Sequence, residues 1–417
     1  MKKLFAALIV VALVFSAVFA LVACDGNKSE VEKAIEATQK MTLEELEEAA
    51  KKEMEDNPDY TFNADSLTSG IKNVVSAFMK KYTWAEGRMQ YNSKKGAQYQ
   101  PVLNAAVDAG NQYVADFVMI QDASFVDSLV RQGFLLSYVP SGDGIQIAEV
   151  DQKPLVGVTF NKVFMFNKTG KSADYLKNVW QLTGADGVSL EGRKVVSFQD
   201  PTAEDINMSF LVMLTSPDAV AKLTAAYKTY FGEDYDGSKD DYQNIGYKFV
   251  EEFWKNCMTH DSDTSEAKAL AGAAYKNQDK IVFAGVAKFK DYIDANKDTV
   301  GSDTTHEDYY ANAIGAAGWN VEVEGISGFT YNMWTLIPKT AHLPYTACLF
   351  IRYLLSEEGY AAGFGGNLGY YSANNLVSVA AGDKTLAQWK QVTIGEDFAF
   401  LRSDRFSVRQ FVTGIKK

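Results

Sequence analysis

Short polar side chains recur in this sequence directly after short apolar or β-prone runs. If those runs are strands, the polar side chains gather at the carboxyl ends of the strands, beside the N–H groups that open the next helices. Hydroxyls, amides and carboxylates in such a place can bind a small polar solute through hydrogen bonds. The candidate ligand-binding residues are Asp65, Ser66, Asn92, Ser93, Asp122, Ser124, Gln199 and Asp200, with Asn207 and Glu324 as weaker candidates.

Each of these residues also has a simpler alternative role. Ser, Asp and Asn most often cap the helix that follows them, and Asp200 stands directly before Pro201, as the N-cap of a helix would. A single residue is therefore explained more readily as a cap, whereas the loops taken together favour a shared binding site.

Patterns typical of catalysis are weak in this chain. His260, His306 and His342 lie far apart without the spacing of a zinc-binding HExxH helix, and the sequence has neither a GxSxG elbow nor a Walker loop. We therefore predict no enzyme, no catalytic residue, no metal site and no cofactor. A glycosidase stays open as a less favoured alternative, because it needs only two carboxylates and the chain has 53 acidic residues.

The candidate residues are expected to be held by strand–loop–helix units. Each apolar run is followed by an expected polar loop. The runs cover residues 60–62, 89–91, 117–120 and 195–198, and the loops after them cover residues 63–66, 92–94, 121–124 and 199–202 in the same order. Helical stretches follow, with apolar residues such as Ile71, Val74 and Phe78 at helical spacing, and Gly133 is expected to end one of them. This order predicts an α/β fold with parallel strands.

Length, charge and cysteine content limit the class of protein. The 417 residues indicate two or three folding units, and 47% hydrophobic residues are enough for large cores. A formal net charge of −12 repels polyphosphates, so we predict no nucleic-acid partner. Three cysteines are too few for a disulfide scaffold. Cys257 and Cys348 are each expected on a helix among apolar residues, as buried free thiols, and a disulfide between them is the alternative.

The amino terminus has the pattern of an export signal. Lys2 and Lys3 precede an apolar run over residues 4–23, and the run ends at Cys24. Its last tetrapeptide, Leu-Val-Ala-Cys, resembles the bacterial lipobox, which implies that residues 1–23 are removed and that Cys24 carries a lipid. The mature chain would then be anchored to the membrane outside the cytoplasm. The alternative is an uncleaved membrane-spanning helix, because a run of about 20 apolar residues can cross a bilayer.

A polar tether and a helix are expected over residues 24–57. Thr42 and Glu45 have the spacing of a capping box. The pattern predicts a helix over about residues 42–55, which ends before Pro58 because the residue preceding a proline avoids helical geometry.

Several local matches in chain order resemble one protein family. They cover residues 115–118 with 128–135, 178–183, 190–195 with Asp200-Pro201, and 337–358. These segments are similar to segments of the extracellular solute-binding proteins of bacterial ABC importers. The branch concerned contains ferric-iron, phosphonate, sugar-phosphate and polyamine receptors.

The resemblance implies a two-lobed periplasmic-binding-protein-like fold of type II, in which each lobe is a mixed sheet flanked by helices. It implies lobe one over residues 58–157 and about 338–362, and lobe two with the crossing strands over residues 158–337; residues 363–417 are left without a lobe. The stretches 156–167 and about 325–338 are extended enough to cross between the lobes.

The function that the resemblance implies is solute capture. A monomer would hold a small polar solute between its lobes and deliver it to the permease subunits of an ABC importer. A surface or sensor lipoprotein that does not take part in transport is the alternative on the same fold.

Three classes of solute stay open. Ferric iron would use a vicinal tyrosine pair, and the chain has two such pairs, Tyr309-Tyr310 and Tyr370-Tyr371. A polyamine would use carboxylates and aromatic rings, such as Asp122 and Trp334. An anionic organic solute would use hydroxyls, helix N-termini and Lys94, and the sequence slightly favours this class.

Replacement of Cys24 by alanine tests the lipid anchor. We expect the wild-type protein to carry a lipid and to partition into detergent, and Cys24→Ala to stay uncleaved, because the processing of a lipoprotein requires the cysteine. Intact mass and detergent partitioning measure the two properties. A Cys24→Ala chain that is still cleaved before residue 24 and equally membrane-bound would contradict the prediction.

Overall fold

The computed structural model describes residues 28–168, 175–184, 195–271, 280–288 and 314–416. The expected signal peptide, Cys24, His306 and the pair Tyr309-Tyr310 lie outside the described residues.

The described helices and strands alternate along the chain. The α-helices are α1 (Glu30–Thr38), α2 (Leu43–Asp56), α3 (Gly70–Lys81), α4 (Gly96–Asp108), α5 (Ala123–Arg131), α6 (Asp205–Met213), α7 (Pro217–Phe231), α8 (Ile245–Asn256), α9 (Asp263–Ala271), α10 (Pro344–Leu354), α11 (Glu357–Gly363), α12 (Leu386–Val392) and α13 (Phe398–Gly414). The strands are β1 (Phe62–Ser66), β2 (Met89–Ser93), β3 (Phe117–Ile120), β4 (Leu135–Leu136), β5 (Val156–Asn167), β6 (Val196–Gln199), β7 (Cys257–His260), β8 (Ile281–Gly285), β9 (Ile314–Ala316), β10 (Gly328–Pro338), β11 (Tyr370–Ser372) and β12 (Ile394–Gly395).

The main strands follow one another in the order β2-β1-β3-β10-β5-β8-β6-β7. β1 pairs in parallel with β2 and β3, and β6 pairs in parallel with β7 and β8. The antiparallel strands β5 and β10 connect these two parallel groups. We call β1–β3, together with the helices packed on them, lobe one. We call β6–β8, together with the helices packed on these strands, lobe two.

The crossing strands β5 and β10 run through both lobes. β10 pairs with β3 at one end and with β5 along most of its length, while β5 pairs with β8 at its far end. All 12 residues of β5 are buried. Gly328 allows the two backbones to approach, because a Cβ atom there would lie 2.1 Å from the carbonyl oxygen of Lys162. The α/β class and the two-lobed arrangement expected from the sequence are therefore those of the structure.

Helix boundaries follow local sequence signals. The Thr42 side chain accepts a hydrogen bond from the Glu45 N–H while the Glu45 carboxylate accepts one from the Thr42 N–H, which confirms the capping box. α3 buries Ile71 and Phe78, as their spacing predicts. Gly133, with a φ of 67°, ends α5 as the expected left-handed glycine.

The ends of β1 and β2 differ from the expectation. Asp65, Ser66, Asn92 and Ser93 are strand residues and not loop residues, because β1 continues to Ser66 and β2 continues to Ser93. Asp65 pairs with Asn92 and Ser66 pairs with Ser93 in the sheet. Pairing with neighbouring strands outweighs the weak local preference of Asp, Asn and Ser for turns. Ser124 likewise lies inside α5, and Gln199 is the last residue of β6 and pairs with His260, so neither is a loop residue.

Both cysteines within the described residues are buried, and they do not form a disulfide with each other. Cys348 lies on α10 as expected, but α8 ends at Asn256, so that Cys257 begins β7 and is not helical. The reason is that the backbone of Cys257 pairs with Val196 in the sheet. Among the described residues, no helix has both the length and the apolar character that a membrane span requires.

The C-terminal segment 363–417 contacts both lobes. β11 pairs with β5, and β12 pairs with β10. α13 packs on α5 of lobe one and on α6 of lobe two. Its ends are fixed by ring contacts, with Phe398 5.0 Å from Trp334 and Phe411 5.1 Å from Tyr247 between ring centroids.

Glu53 of α2 holds the start of α10 in place. Its carboxylate accepts hydrogen bonds from the backbone N–H groups of Tyr345 at 3.0 Å and Thr346 at 2.8 Å. Burial raises the pKa of Glu53 to about 7, although these N–H groups act to lower it. The carboxyl group therefore gains its charge near neutral pH.

Replacement of Glu53 by glutamine should change how stability depends on pH. Because the pKa of Glu53 is higher in the folded state than in the unfolded state, its contribution to the free energy of unfolding is full below about pH 4.5. That contribution then falls by about 1.4 kcal/mol per pH unit until about pH 7. We expect wild type to lose stability relative to Glu53→Gln between pH 5 and pH 7.5, as measured by urea unfolding.

Glu48→Gln provides the control, since Glu48 is exposed on the same helix. It should follow the pH dependence of wild type. If Glu53→Gln did so too, Glu53 would not be the group that titrates.

Candidate functional site

The strand-end loops of the two lobes meet around a small cavity. Lobe one contributes residues that follow β1, β2 and β3, and lobe two contributes the loop between β6 and α6. The lining residues are Leu67, Gly96, Ala97, Tyr99, Gln100, Ile120, Gln121, Phe125, Ala203, Glu204 and Asp205. The cavity volume is about 20 Å³, which is room for about one water molecule.

Hydrogen bonds across the cleft close this cavity. The Gln121 side-chain amide of lobe one donates to the Glu204 carboxylate of lobe two at 3.0 Å. The Gln100 side-chain amide of lobe one donates to the Asp205 carboxylate at 3.0 Å. The same Gln100 amide also lies 3.3 Å from the carboxylate of Asp122 in its own lobe. The structure is therefore a closed form, in which polar groups of one lobe satisfy those of the other.

A buried carboxylate lies beside the cavity at the start of α5. Asp122 is 3% exposed, has a φ of 77°, and accepts from the N–H groups of Ser124 and Phe125 as the N-cap of α5. Its second oxygen accepts a hydrogen bond from Arg405 of α13 at 2.9 Å. Burial raises the pKa of Asp122 to about 6, while Arg405 acts to lower it.

Lobe two places a buried ion pair behind Glu204. The Lys162 ammonium group is 2.8 Å from the Asp263 carboxylate and donates to the Asn207 side-chain oxygen at 2.9 Å. Burial acts to lower the pKa of Lys162, but Asp263 and Glu204 raise it above its ordinary value, so that Lys162 stays charged. Burial raises the pKa of Glu204, against the effect of Lys162.

Aromatic rings lie where the crossing strands meet the C-terminal segment. Tyr370 stacks on Phe160 with 4.1 Å between ring centroids, and Tyr331 meets Phe160 edge-on at 5.7 Å. Tyr331 and Tyr370 are only partly buried. Burial, then Tyr370 and Glu204, raise the pKa of Tyr331 well above its ordinary value. Tyr331 therefore keeps its proton and can donate a hydrogen bond.

Solved structures share this arrangement of the chain. The ferric binding protein from Campylobacter jejuni matches with a TM-score of 0.56 and 13% identity, over 85% of this chain and 99% of that chain. The Trichodesmium protein IdiA (FutA), in complex with iron and citrate, matches with a TM-score of 0.53 and 16% identity, over 85% and 100%. The periplasmic binding protein AgtB from A. tumefaciens R10, in complex with agropinic acid, matches with a TM-score of 0.52 and 13% identity, over 85% and 99%.

The chain has the periplasmic-binding-protein fold. No family model matches the chain, and no curated protein matches it. At identities this low the structural matches establish the fold, and the site has to be argued from this chain's own residues.

Two of the ten predicted site residues lie next to the cleft of this binding-protein fold. Asp122 accepts a hydrogen bond from Gln100, which lines the cavity. Asn207 accepts a hydrogen bond from Lys162, whose charge acts on Glu204. None of the ten lines the cavity itself.

The other eight make contacts mainly within their own lobe. In lobe one, Asp65 accepts from Asn92 at 2.9 Å and pairs with Lys94 at 3.2 Å, and the Ser66 hydroxyl bonds the backbone of Thr68. Ser93 is exposed, and the Ser124 hydroxyl approaches the Leu401 carbonyl of α13 at 3.5 Å.

In lobe two the remaining three have local partners. The Gln199 carbonyl accepts from Asn207 at 2.8 Å, and the Asp200 carboxylate accepts from the N–H and the hydroxyl of Thr202. Glu324 is exposed and accepts from Thr229 of α7 at 2.7 Å. Asp200 thus holds a turn, but it does not cap α6 as its alternative role predicted, because α6 begins at Asp205 with Glu204 as the N-cap residue.

The cleft residues that the sequence analysis did not select are Gln100, Gln121, Lys162, Glu204, Asp205, Tyr331 and Arg405. Gln121 lies inside an expected loop, and Glu204 and Asp205 follow Asp200-Pro201, so a search for all polar residues after each strand would have found these three. Arg405 has no such signal, because it lies in a C-terminal segment without a recognisable pattern.

The tyrosine pair within the described residues does not form a joint iron site. Tyr370 and Tyr371 are neighbours on strand β11, so their side chains point to opposite faces. Tyr370 stacks on Phe160, whereas Tyr371 is buried and its hydroxyl donates to the Lys384 carbonyl at 3.0 Å. No group of three or more His, Cys, Asp or Glu residues in the described ranges is arranged to hold a metal ion.

Replacement of Lys162 by methionine should strongly destabilise lobe two. The Asp263 carboxylate would stay buried without its cation, and breaking a buried pair in this way costs about 3–5 kcal/mol. Urea unfolding measures the loss. The double variant with Lys162→Met and Asp263→Asn should recover part of it, because the unpaired charge is then removed.

Lys255→Met is the matched control. Lys255 pairs with Glu251 on the surface of α8, so its loss should cost less than about 1 kcal/mol. Equal effects of Lys162→Met and Lys255→Met would show that the buried pair does not stabilise lobe two.

Proposed function

We propose that this protein is an extracytoplasmic receptor that captures a small polar solute between its two lobes and delivers it to an ABC importer. The observation that supports this most is the convergence of strand-end loops from both lobes on one cavity beside the crossing strands. A solute that contacts both lobes binds the closed form better than the open form, and this difference in affinity drives closure.

The polar residues of the cleft favour a solute that donates hydrogen bonds. Glu204 and Asp205 are acceptors, whereas Gln100, Gln121 and Tyr331 can donate as well as accept. Among the described residues around the cleft, Lys94, Lys162 and Arg405 each pair with a carboxylate, namely Asp65, Asp263, and Asp122 with Asp205. The cleft therefore gives less support to an anionic solute than the sequence did, and a neutral or cationic polar solute fits its groups better.

The place of action follows from the amino-terminal pattern. The export signal and lipobox would leave the mature chain outside the cytoplasm with a lipid on Cys24. α1 begins at Glu30, so only a short stretch of sequence separates the proposed anchor from the folded receptor. The receptor would thus be held near the importer at the membrane surface.

Removal of the Gln121 side chain tests the cleft. Protein purified gently would be analysed by native mass spectrometry to identify the solute that it carries, and the solute would be titrated calorimetrically. Gln121→Ala should weaken binding about 5- to 150-fold, because one hydrogen-bonding partner at the closed cleft is lost. Gln98→Ala, at an exposed position of α4, should bind like wild type.

The thermal unfolding of the ligand-free variants separates binding from folding. We expect both to melt near wild type, since Gln121 is at the cleft surface. A solute that binds Gln121→Ala and wild type equally well would place the binding site away from this cleft.

A further inference from the structure

The C-terminal helix α13 joins the lobes through one side chain. The Arg405 guanidinium group donates to the Asp122 carboxylate of lobe one at 2.9 Å and to the Asp205 carboxylate of lobe two at 3.0 Å. It also donates to the Ser209 hydroxyl of lobe two at 2.8 Å. One planar group with several fixed donors therefore bridges the two lobes.

These contacts are shielded from water. The exposed fractions of the side chains are 13% for Arg405, 4% for Asp122 and 17% for Asp205. Charge-assisted hydrogen bonds in such surroundings are stronger than those on an exposed surface. The bridge therefore differs from the exposed ion pairs along the helices, which contribute little to the free energy of folding.

Neighbouring contacts hold the helix in register with both lobes. Arg402 pairs with Asp127 of lobe one at 3.6 Å, and Phe411 packs against Tyr247 of lobe two. Glu396, which stands just before α13, accepts from the Asn332 N–H of the crossing strand β10 at 2.9 Å. Burial raises the pKa of Glu396 to about 8, so this carboxyl group is mostly neutral at pH 7 and competes little for the charge of Arg405.

We propose that Arg405 is an interlobe latch, which holds the closed form together by joining Asp122 to Asp205 and Ser209 without any solute. When the lobes part, the guanidinium group cannot keep carboxylates of both lobes, so one of them loses its cation. The latch shifts the open–closed equilibrium of the solute-free protein toward the closed form and so sets the fraction of the protein that is open to a solute. This inference deepens the proposed function, since it names the residue that sets how readily the receptor closes.

Small-angle scattering of the solute-free protein tests the latch. The chain from residue 25 onward, which contains every described residue, would be freed of solute by unfolding, dialysis and refolding. Wild type should show the radius of gyration calculated from the closed structure, and Arg405→Gln should show a larger one. Loss of the charge-assisted bonds should raise the ratio of open to closed form by at least about tenfold.

Two further variants make the comparison specific. Arg405→Lys keeps the charge but lacks the planar fork that serves three partners, so its radius of gyration should lie between those of wild type and Arg405→Gln. Arg409→Gln removes an exposed arginine from the same helix and should scatter like wild type.

The latch would be contradicted by equal radii of gyration for wild type and Arg405→Gln, or by a wild type that is already open. If Arg405→Gln does not fold, the double variant Asp205→Ala with Ser209→Ala removes both lobe-two partners while Arg405 keeps Asp122, and the same comparison decides. The measurement uses no solute. The two proposals can therefore fail separately. If Arg405→Gln opens but the purified wild-type protein carries no solute, the latch is supported and solute capture is contradicted.

Discussion

The structure depends on the antiparallel pairing of two long strands that both lobes share. β5 and β10 are bonded to each other near the boundary and to different parallel strands on either side, so the lobes cannot separate without bending this pair. The carboxyl ends of the parallel strands in each lobe consequently face one another across a single crevice, which is the place where such sheets bind ligands.

The chemistry of the crevice follows from that geometry. Polar groups that face one another in a closing cleft lose water, and each needs a partner, because burying an unpaired polar group or charge is costly. In the closed form the partners come from the opposite lobe, as for Gln121 with Glu204, or from the C-terminal helix, as for Arg405. A solute would have to replace some of these contacts. Its affinity therefore depends on the free energy of the contacts that it makes minus that of the lobe–lobe contacts that it replaces.

Features encoded in short stretches of sequence could be predicted, and features that depend on distant strands could not. The capping box at Thr42 and the extended stretch of β5 are local, and both are present in the structure. The ends of β1 and β2 were placed too early, because their pairing partners lie elsewhere in the chain. The contact between Asp122 and Arg405 joins residues 283 positions apart, and nothing in local spacing indicates it. The sequence therefore predicted loops that border the cleft, but of the ten residues selected from them only Asp122 and Asn207 lie next to it.

Capture between the lobes can be tested by a crystal structure of the protein with the solute that it carries from the cell. We expect electron density for the solute between the loop after β3 and the loop before α6, in contact with residues of both lobes. Density that contacts one lobe only would contradict capture between the lobes. So would density in the groove that Leu43, Tyr82 and Arg352 line outside the cleft.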